Sequence, residues 1–208
     1  MPRVTTKTKS RSGKDYTCES CHKKIEPGTK YYKWSFRYGG THRQCAACGM
    51  PKQSQLTQSK MSGFYAAIEA AEAAINSATS IDDLASALND CAQAVDEVRQ
   101  EYEDGLDNMP DGLRAAAEEG EVGEKMQALE EFKDNLESKA TDLEGEEFED
   151  ECQYVEQAGG APCCLGSDDE VHTKEEGGHA FVTNEEGRTE WFNEKRQEAE
   201  DALSDHSL

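Results

Sequence analysis

The string CESCH, residues 18–22, is the first stretch of this chain whose side chains could do chemistry. A C-x-x-C-H string can attach a c-type haem, form a redox dithiol or supply half of a zinc site. A haem needs an apolar pocket and an oxidising compartment, whereas basic residues surround this string. A thioredoxin-like dithiol needs a βαβ pattern, and none follows. The sequence therefore favours zinc.

The second half of such a site lies in THRQCAACG, residues 41–49, where His42, Cys45 and Cys48 are spaced by two residues each. Zinc takes four nitrogen or sulfur ligands at the corners of a tetrahedron, and two C-x-x-C pairs in short turns are a usual source of them. Two ligand sets are open. They are Cys18, Cys21, His42 and Cys45, or Cys18, Cys21, Cys45 and Cys48. Either set is supplied wholly by protein, so we expect one structural Zn²⁺ with no position for a substrate.

The segment between the two pairs, IEPGTKYYKWSFRYGG, predicts a β-hairpin with turns at Pro27-Gly28 and Gly39-Gly40. Its alternation places Tyr32, Trp34 and Phe36 on one face and Tyr31, Lys33, Ser35 and Arg37 on the other. One interpretation is that the aromatic residues form the small core of a zinc module. The other is that aromatic and basic residues form a surface for phosphates and stacked bases. The candidate nucleic-acid-binding residues are Lys30, Lys33, Trp34, Arg37 and Arg43.

The order C-x-x-C, then KKIEPG, a hairpin and H-x-x-C resembles the zinc finger of the poly(ADP-ribose) polymerase type, which is also found on a DNA ligase. The resemblance covers residues 18–48. It implies a Cys-Cys-His-Cys site, with Cys18, Cys21, His42 and Cys45 as ligands, that supports a surface recognising DNA strand breaks; Cys48 is an additional candidate ligand. The hairpin with its C-x-x-C pair and the run PKQSQLTQSK also resemble small bacteriophage-encoded proteins.

Charge is distributed unevenly along the chain. Residues 1–60 carry a balance of +10 and the other 148 residues carry −32, for a net charge of −22. Such asymmetry indicates charged partners. No secretory signal and no run of roughly 18 apolar residues is present. We therefore expect no membrane partner and a cytoplasmic protein, in the host cytoplasm if it is phage-encoded, with its clustered cysteines binding metal rather than forming disulfides.

Apolar residues spaced three and four apart predict two helices after the zinc module, and the segment NSATS between them predicts an antiparallel helical hairpin. The second helix opens on an S-x-x-D capping pattern at Ser80 and continues to Tyr102, with Cys91 as a core position. Residues 104–112 break the pattern, and a third helix is expected over residues 124–143. The predicted inward positions are Met61, Phe64, Ile68, Ala71, Ile75, Ile81, Leu84, Leu88, Cys91, Val95, Val98, Tyr102, Met126, Leu129, Phe132, Leu136 and Leu143.

The remaining sequence is acidic and rich in glycine before a short final helix. Residues 145–188 predict loop or disorder, although they contain Cys152, Cys163, Cys164, His172 and His179, whose spacing fits no zinc template known to us. The final helix is expected over residues 189–208, with Trp191 and Phe192 available to pack on a partner surface.

These patterns predict an α+β protein: a basic disordered tail (1–15), a zinc-bound β-hairpin module (16–53), an acidic helical hairpin or small bundle (54–144), a loop (145–188) and a short helix (189–208). No catalytic constellation is evident, so we expect a non-enzyme without a small-molecule substrate. The predicted function is nucleic-acid association through the zinc module. The alternative is an acidic adaptor or inhibitor, with DNA-like carboxylate rows, that covers a basic protein surface. The helical repeats also permit a homodimer.

Overall fold

The computed structural model of the chain describes residues 2–9, 14–148 and 185–205. Within these residues the fold is α+β, as predicted, with a small antiparallel sheet followed by helices. We refer to residues 2–52 of the described part as the basic module and to the helices after it as the helical body.

Three strands form the sheet of the basic module. They are β1 (Thr5–Thr8), β2 (Lys30–Ser35) and β3 (Thr41–Cys45), in the spatial order β1-β2-β3, and both pairings are antiparallel. The β2–β3 pair is the predicted hairpin. A short 3₁₀ turn, Ala46–Cys48, follows β3 directly.

Strand β1 and Lys9 correct the prediction of a disordered tail over residues 1–15 for the part that the structure describes. Lys9, which follows the strand, is buried, and its ammonium donates to the carbonyl of Ile25 at 2.7 Å and pairs with Asp15 at 3.3 Å. Its backbone also bonds to Thr29 and Gly28. Its basic residues suggested that the segment is solvated, but the three threonines of the TTKT strand and the buried Lys9 attach it to the module.

The helical body contains α1 (Gln53–Leu56), α2 (Met61–Ser77), α3 (Ile81–Asp107), α4 (Asp111–Glu118), α5 (Glu121–Glu144) and α6 (Glu185–Ser204). The α2–α3 hairpin turns at the predicted point, where the Ser80 hydroxyl accepts from the backbone N–H of Asp83 and the Asp83 carboxylate accepts from that of Ser80. Glycine at position 63 lets the two helices approach, since a Cβ there would lie 2.8 Å from Val98 Cγ2.

Helices α2, α3 and α5 pack their predicted inward residues into one core. Ile81 and Tyr102 are only partly buried against it, and Met126 is half-buried. Between the predicted inward residues Leu136 and Leu143 of α5, Ala140 is also fully buried. These faces are occupied within one chain, and a homodimer formed through them stays a prediction.

Helices α3, α4 and α6 differ from the sequence prediction. The expected break at residues 104–112 is shorter, because α3 continues through Gly105 to Asp107 and Leu106 is buried. Helix α4 then begins directly after Pro110. Helix α6 begins at Glu185, before the predicted start at residue 189. Its Phe192 packs against the core of the same chain, whereas the sequence suggested that it contacts a partner surface.

Most of the predicted loop at residues 145–188, with its three cysteines and two histidines, lies outside the described residues. Of the helices that the structure describes, none combines the length and the apolar composition that crossing a membrane requires.

Candidate metal centre

Two turns of the basic module carry the four cysteines of the centre. Cys18 and Cys21 lie at the tip of a small hairpin, where Thr17 and Lys24 form a bridge and the N–H of Cys18 donates to the carbonyl of Lys23 at 2.9 Å. His22 closes this turn with a left-handed backbone, at φ 56°, and its N–H donates to the carbonyl of Cys18. The turn therefore directs both sulfur atoms to one side.

The second turn begins at the end of β3. Cys45 is the last residue of the strand, and Cys48 ends the 3₁₀ turn. Gly49 follows with φ 79°, a conformation that favours glycine, and its N–H donates to the carbonyl of Ala46 at 3.2 Å. Buried Gln44 supports the turn from behind, because its side-chain amide donates to the carbonyls of Cys48 and Gly49.

The four sulfur atoms of Cys18, Cys21, Cys45 and Cys48 all lie within 4.8 Å of one another, so they could hold a metal ion. The measured separations are 3.8 Å for Cys18–Cys48, 3.8 Å for Cys21–Cys45 and 3.4 Å for Cys45–Cys48. A tetrahedron with Zn–S bonds of about 2.3 Å has edges of about 3.8 Å. The sulfur positions therefore fit a tetrahedral thiolate site.

The backbone around Cys18 favours a thiolate at that position. Burial by itself raises the pKa of the Cys18 thiol, but the N–H groups of Cys21, Cys45 and Ser20 lower it to about 6. That of Cys45 donates to the sulfur at 3.3 Å. The hydrogen bonds that Cys48 shares with Cys45 and Cys21 raise the pKa of its own thiol to about 12. Metal binding at this group would displace the proton of Cys48.

His42, the competing ligand, lies outside the sulfur group. Its Nδ1 is 2.7 Å from the Glu19 carboxylate, and its ring stacks on Trp34 with centroids 5.4 Å apart. Phe36 packs edge-on against the same ring. Of the two ligand sets that the sequence left open, the structure brings together the four-cysteine set.

The small core of the module differs from the predicted one. Cys18, Ile25 and Tyr31 are buried together, with Tyr16 packed against them. Trp34 is 3% exposed but lies on the opposite face of β2, beside His42. Sequence alternation found the two faces correctly, but it could not show that aromatic residues are buried on both.

The predicted nucleic-acid-binding residues do not share one surface. The register places Lys33 directly opposite Arg43 on the face that also carries Cys45. Lys30 is exposed on the other face, and exposed Arg37 lies in the β2–β3 turn. Trp34 is buried and is not available to a ligand, which corrects its assignment to a binding surface.

Three residues that sequence reasoning missed support the site. Glu19 holds His42, Gln44 holds the second turn, and Tyr16 receives the Arg43 guanidinium 4.2 Å from its ring centroid. Residues of these three types are common in strands and turns, so the sequence alone did not indicate these roles. Only their contacts in the structure do. Comparison with protein-family models, curated proteins and solved structures returned no match to this chain.

Proposed function

We propose that the chain is a nucleic-acid-binding protein in which one structural zinc ion, held by Cys18, Cys21, Cys45 and Cys48, fixes the basic module that contacts phosphates. A closed tetrahedral thiolate site supplies folding energy rather than an open coordination position. The first turn and the β3 end would thus be locked together, and the Lys33–Arg43 surface would be held in place by the strand that carries Cys45.

One observation carries the nucleic-acid part of the proposal: the basic module presents cations without carboxylate partners. Among its described residues the ion pairs are Lys9 and Lys24 with Asp15, and His42 with Glu19. Lys33 and Arg43 form no ion pair with a described residue, although they lie directly opposite each other across β2 and β3. Like charges in this arrangement destabilise a sheet unless an anion lies between them.

The helical body shows the opposite pattern. Arg99, Arg114, Lys125, Lys133 and Lys195 each pair with a nearby carboxylate. These five cations of the body are thus neutralised within the chain, while Lys33 and Arg43 of the module have no carboxylate partner among the described residues. The phosphodiester backbone is the anion of nucleic acids, and the excess carboxylates of the body would keep a long duplex away from the rest of the chain.

Salt dependence of oligonucleotide binding tests this proposal on the full chain. We expect affinity for a labelled oligonucleotide to fall roughly a thousandfold between 50 and 200 mM salt. A Lys33→Gln/Arg43→Gln variant should bind more weakly, and its salt slope should be smaller by about 1.5, because two phosphate contacts are lost.

A Lys133→Gln/Lys195→Gln variant is the matched control. It removes the same charge from the helical body, so its affinity and slope should equal those of the parent chain. An equal loss of affinity in both double variants would contradict a specific Lys33–Arg43 surface, because net charge alone would then explain binding. An absence of binding at 50 mM salt would overturn the proposal in favour of a protein partner.

A further inference from the structure

Tyr38, in the turn between β2 and β3, is the most exposed large hydrophobic residue of the described chain. Its side chain is 87% exposed, whereas Trp34 and Tyr31 of the same hairpin are buried. The Arg37 guanidinium lies 5.2 Å from the ring centroid, a cation–π distance. Arg37 covers the ring from one direction, and the rest of its surface faces solvent.

The turn that carries Tyr38 lies close to the segment between α1 and α2. A Cβ at Gly39 would lie 2.6 Å from Nε2 of Gln58, in the segment between α1 and α2, and 3.2 Å from Cβ of Phe36. Glycine at position 39 leaves room for the flexible Gln58 side chain and for Phe36. Tyr38 is thus presented on the short turn between the paired strands β2 and β3, which lowers the entropy lost when it contacts a ligand.

A cleft of about 980 Å³ lies beside Tyr38, between the turn and the helical body. Phe36, Tyr38 and Tyr65 contribute aromatic surface, and Gln58 and Ser59 contribute polar groups. Aromatic walls with a few amide and hydroxyl groups suit a flat, uncharged heterocycle that carries hydrogen-bonding edges.

The charges around the cleft restrict how a nucleic acid could enter it. Arg37 lies on the wall from the turn, while Glu121 and Glu124 lie on the wall from α5. Lys125, on the same helix, is already paired with Glu121. A phosphate is attracted to the turn and repelled by the helix, so the strand must follow the turn while an uncharged base lies between the walls.

From this geometry we propose that the cleft accepts an unpaired base of a single-stranded nucleic acid, with the base stacked on Tyr38 and the adjoining phosphate bound by Arg37. The inference rests on the proposed function and names its substrate class. A single strand offers unpaired bases directly, whereas a duplex must first unpair and unstack one. A duplex also brings two phosphate backbones against the carboxylates of α5.

Fluorescence anisotropy on the full chain tests the inference with a labelled DNA strand of about 12 nucleotides, its RNA counterpart and the matched duplex. We expect at least one single strand to bind roughly tenfold more tightly than the duplex. Tyr38→Ala should weaken single-strand binding roughly tenfold, since base stacking is lost. Tyr38→Phe should retain it, because the ring remains.

Met50→Ala removes another exposed apolar side chain of the basic module, one that does not line the cleft, and should leave binding unchanged. Equal affinity for single strand and duplex, or no effect of Tyr38→Ala, would overturn the inference. If the Lys33→Gln/Arg43→Gln variant still loses affinity in that case, the proposed function survives without it. If no oligonucleotide binds, both are wrong.

Discussion

The sulfur atoms of Cys18 and Cys48 lie 3.8 Å apart, although the two residues are 30 positions apart in the chain. The backbone N–H of Cys45 donates to the sulfur of Cys18 across the same gap. The centre therefore joins the hairpin tip before the sheet to the turn that follows its last strand.

Removal of the metal should loosen the basic module while the helical body stays folded, because the body has its own apolar core. Trp34 reports on the module, since it is buried there. In a Trp191→Phe background, a zinc chelator should shift Trp34 fluorescence to longer wavelength, and far-UV circular dichroism should retain its helical signal. An unchanged emission maximum would show that the module does not depend on metal.

Lys9 should contribute to stability more than its position near the start of the chain suggests. Replacement by Ala leaves the Ile25 carbonyl without its donor and removes the partner of Asp15, so we expect a loss of about 1–3 kcal/mol in the local stability of β1. Hydrogen exchange of the β1 amides measures it. Lys7→Ala is the matched control because Lys7 is exposed on the same strand. Equal effects of the two substitutions would refute an anchoring role for Lys9.

Cys91 makes the stability of the helical body sensitive to alkaline pH. Burial raises the pKa of this thiol to about 12, from an ordinary value of 9.0. The folded chain therefore holds this proton more tightly than the unfolded chain. The resulting stabilisation is complete below pH 9 and is lost as pH rises toward 12.

Urea unfolding of the parent chain and of Cys91→Ala at pH 7 and pH 10 measures this contribution. The parent should lose more stability between the two pH values than the variant does, since the other titrating groups are common to both. Identical losses would mean that residue 91 is not protected from solvent in the folded chain.

Regular periodicity made the helical body predictable from sequence. The three- and four-residue spacing from Met61 to Val98 needs only local geometry to place those side chains on one face, and the structure buries all of them except Ile81, which is partly buried. The capping pair Ser80 and Asp83 is equally local. Leu106 could not be foreseen as a core residue, because Gly105 and the following turn residues suggest that the helix has already ended.

The cysteine pairs of the candidate metal centre were predictable from sequence, but the residue that completes the group of four was not. Spacing alone permits either His42 or Cys48 to complete the set, since the choice depends on which way each side chain leaves β3 and the turn after it. In the structure Glu19 contacts Nδ1 of His42 and Trp34 stacks on its ring, and the ring lies outside the sulfur group. Both contacts join residues distant in sequence, where periodicity carries no information.

Strand β1 was missed for a related reason. Its four residues gain their partner from β2, 25 or so positions later, and the favourable burial of Lys9 depends on the carbonyl of Ile25. The basic residues of this segment suggested that it is exposed to solvent. A lysine such as Lys9 stabilises the fold only when the fold places a hydrogen-bond acceptor beside it. Because that acceptor is distant in sequence, the sequence pattern does not reveal it.

Metal content per chain, measured by mass spectrometry on the purified parent, Cys48→Ser and His42→Ala, tests the central claim most directly. The account predicts one zinc per chain in the parent and in His42→Ala, and its loss in Cys48→Ser. Zinc kept in Cys48→Ser and lost in His42→Ala, or no zinc in the parent chain, would contradict the four-cysteine centre.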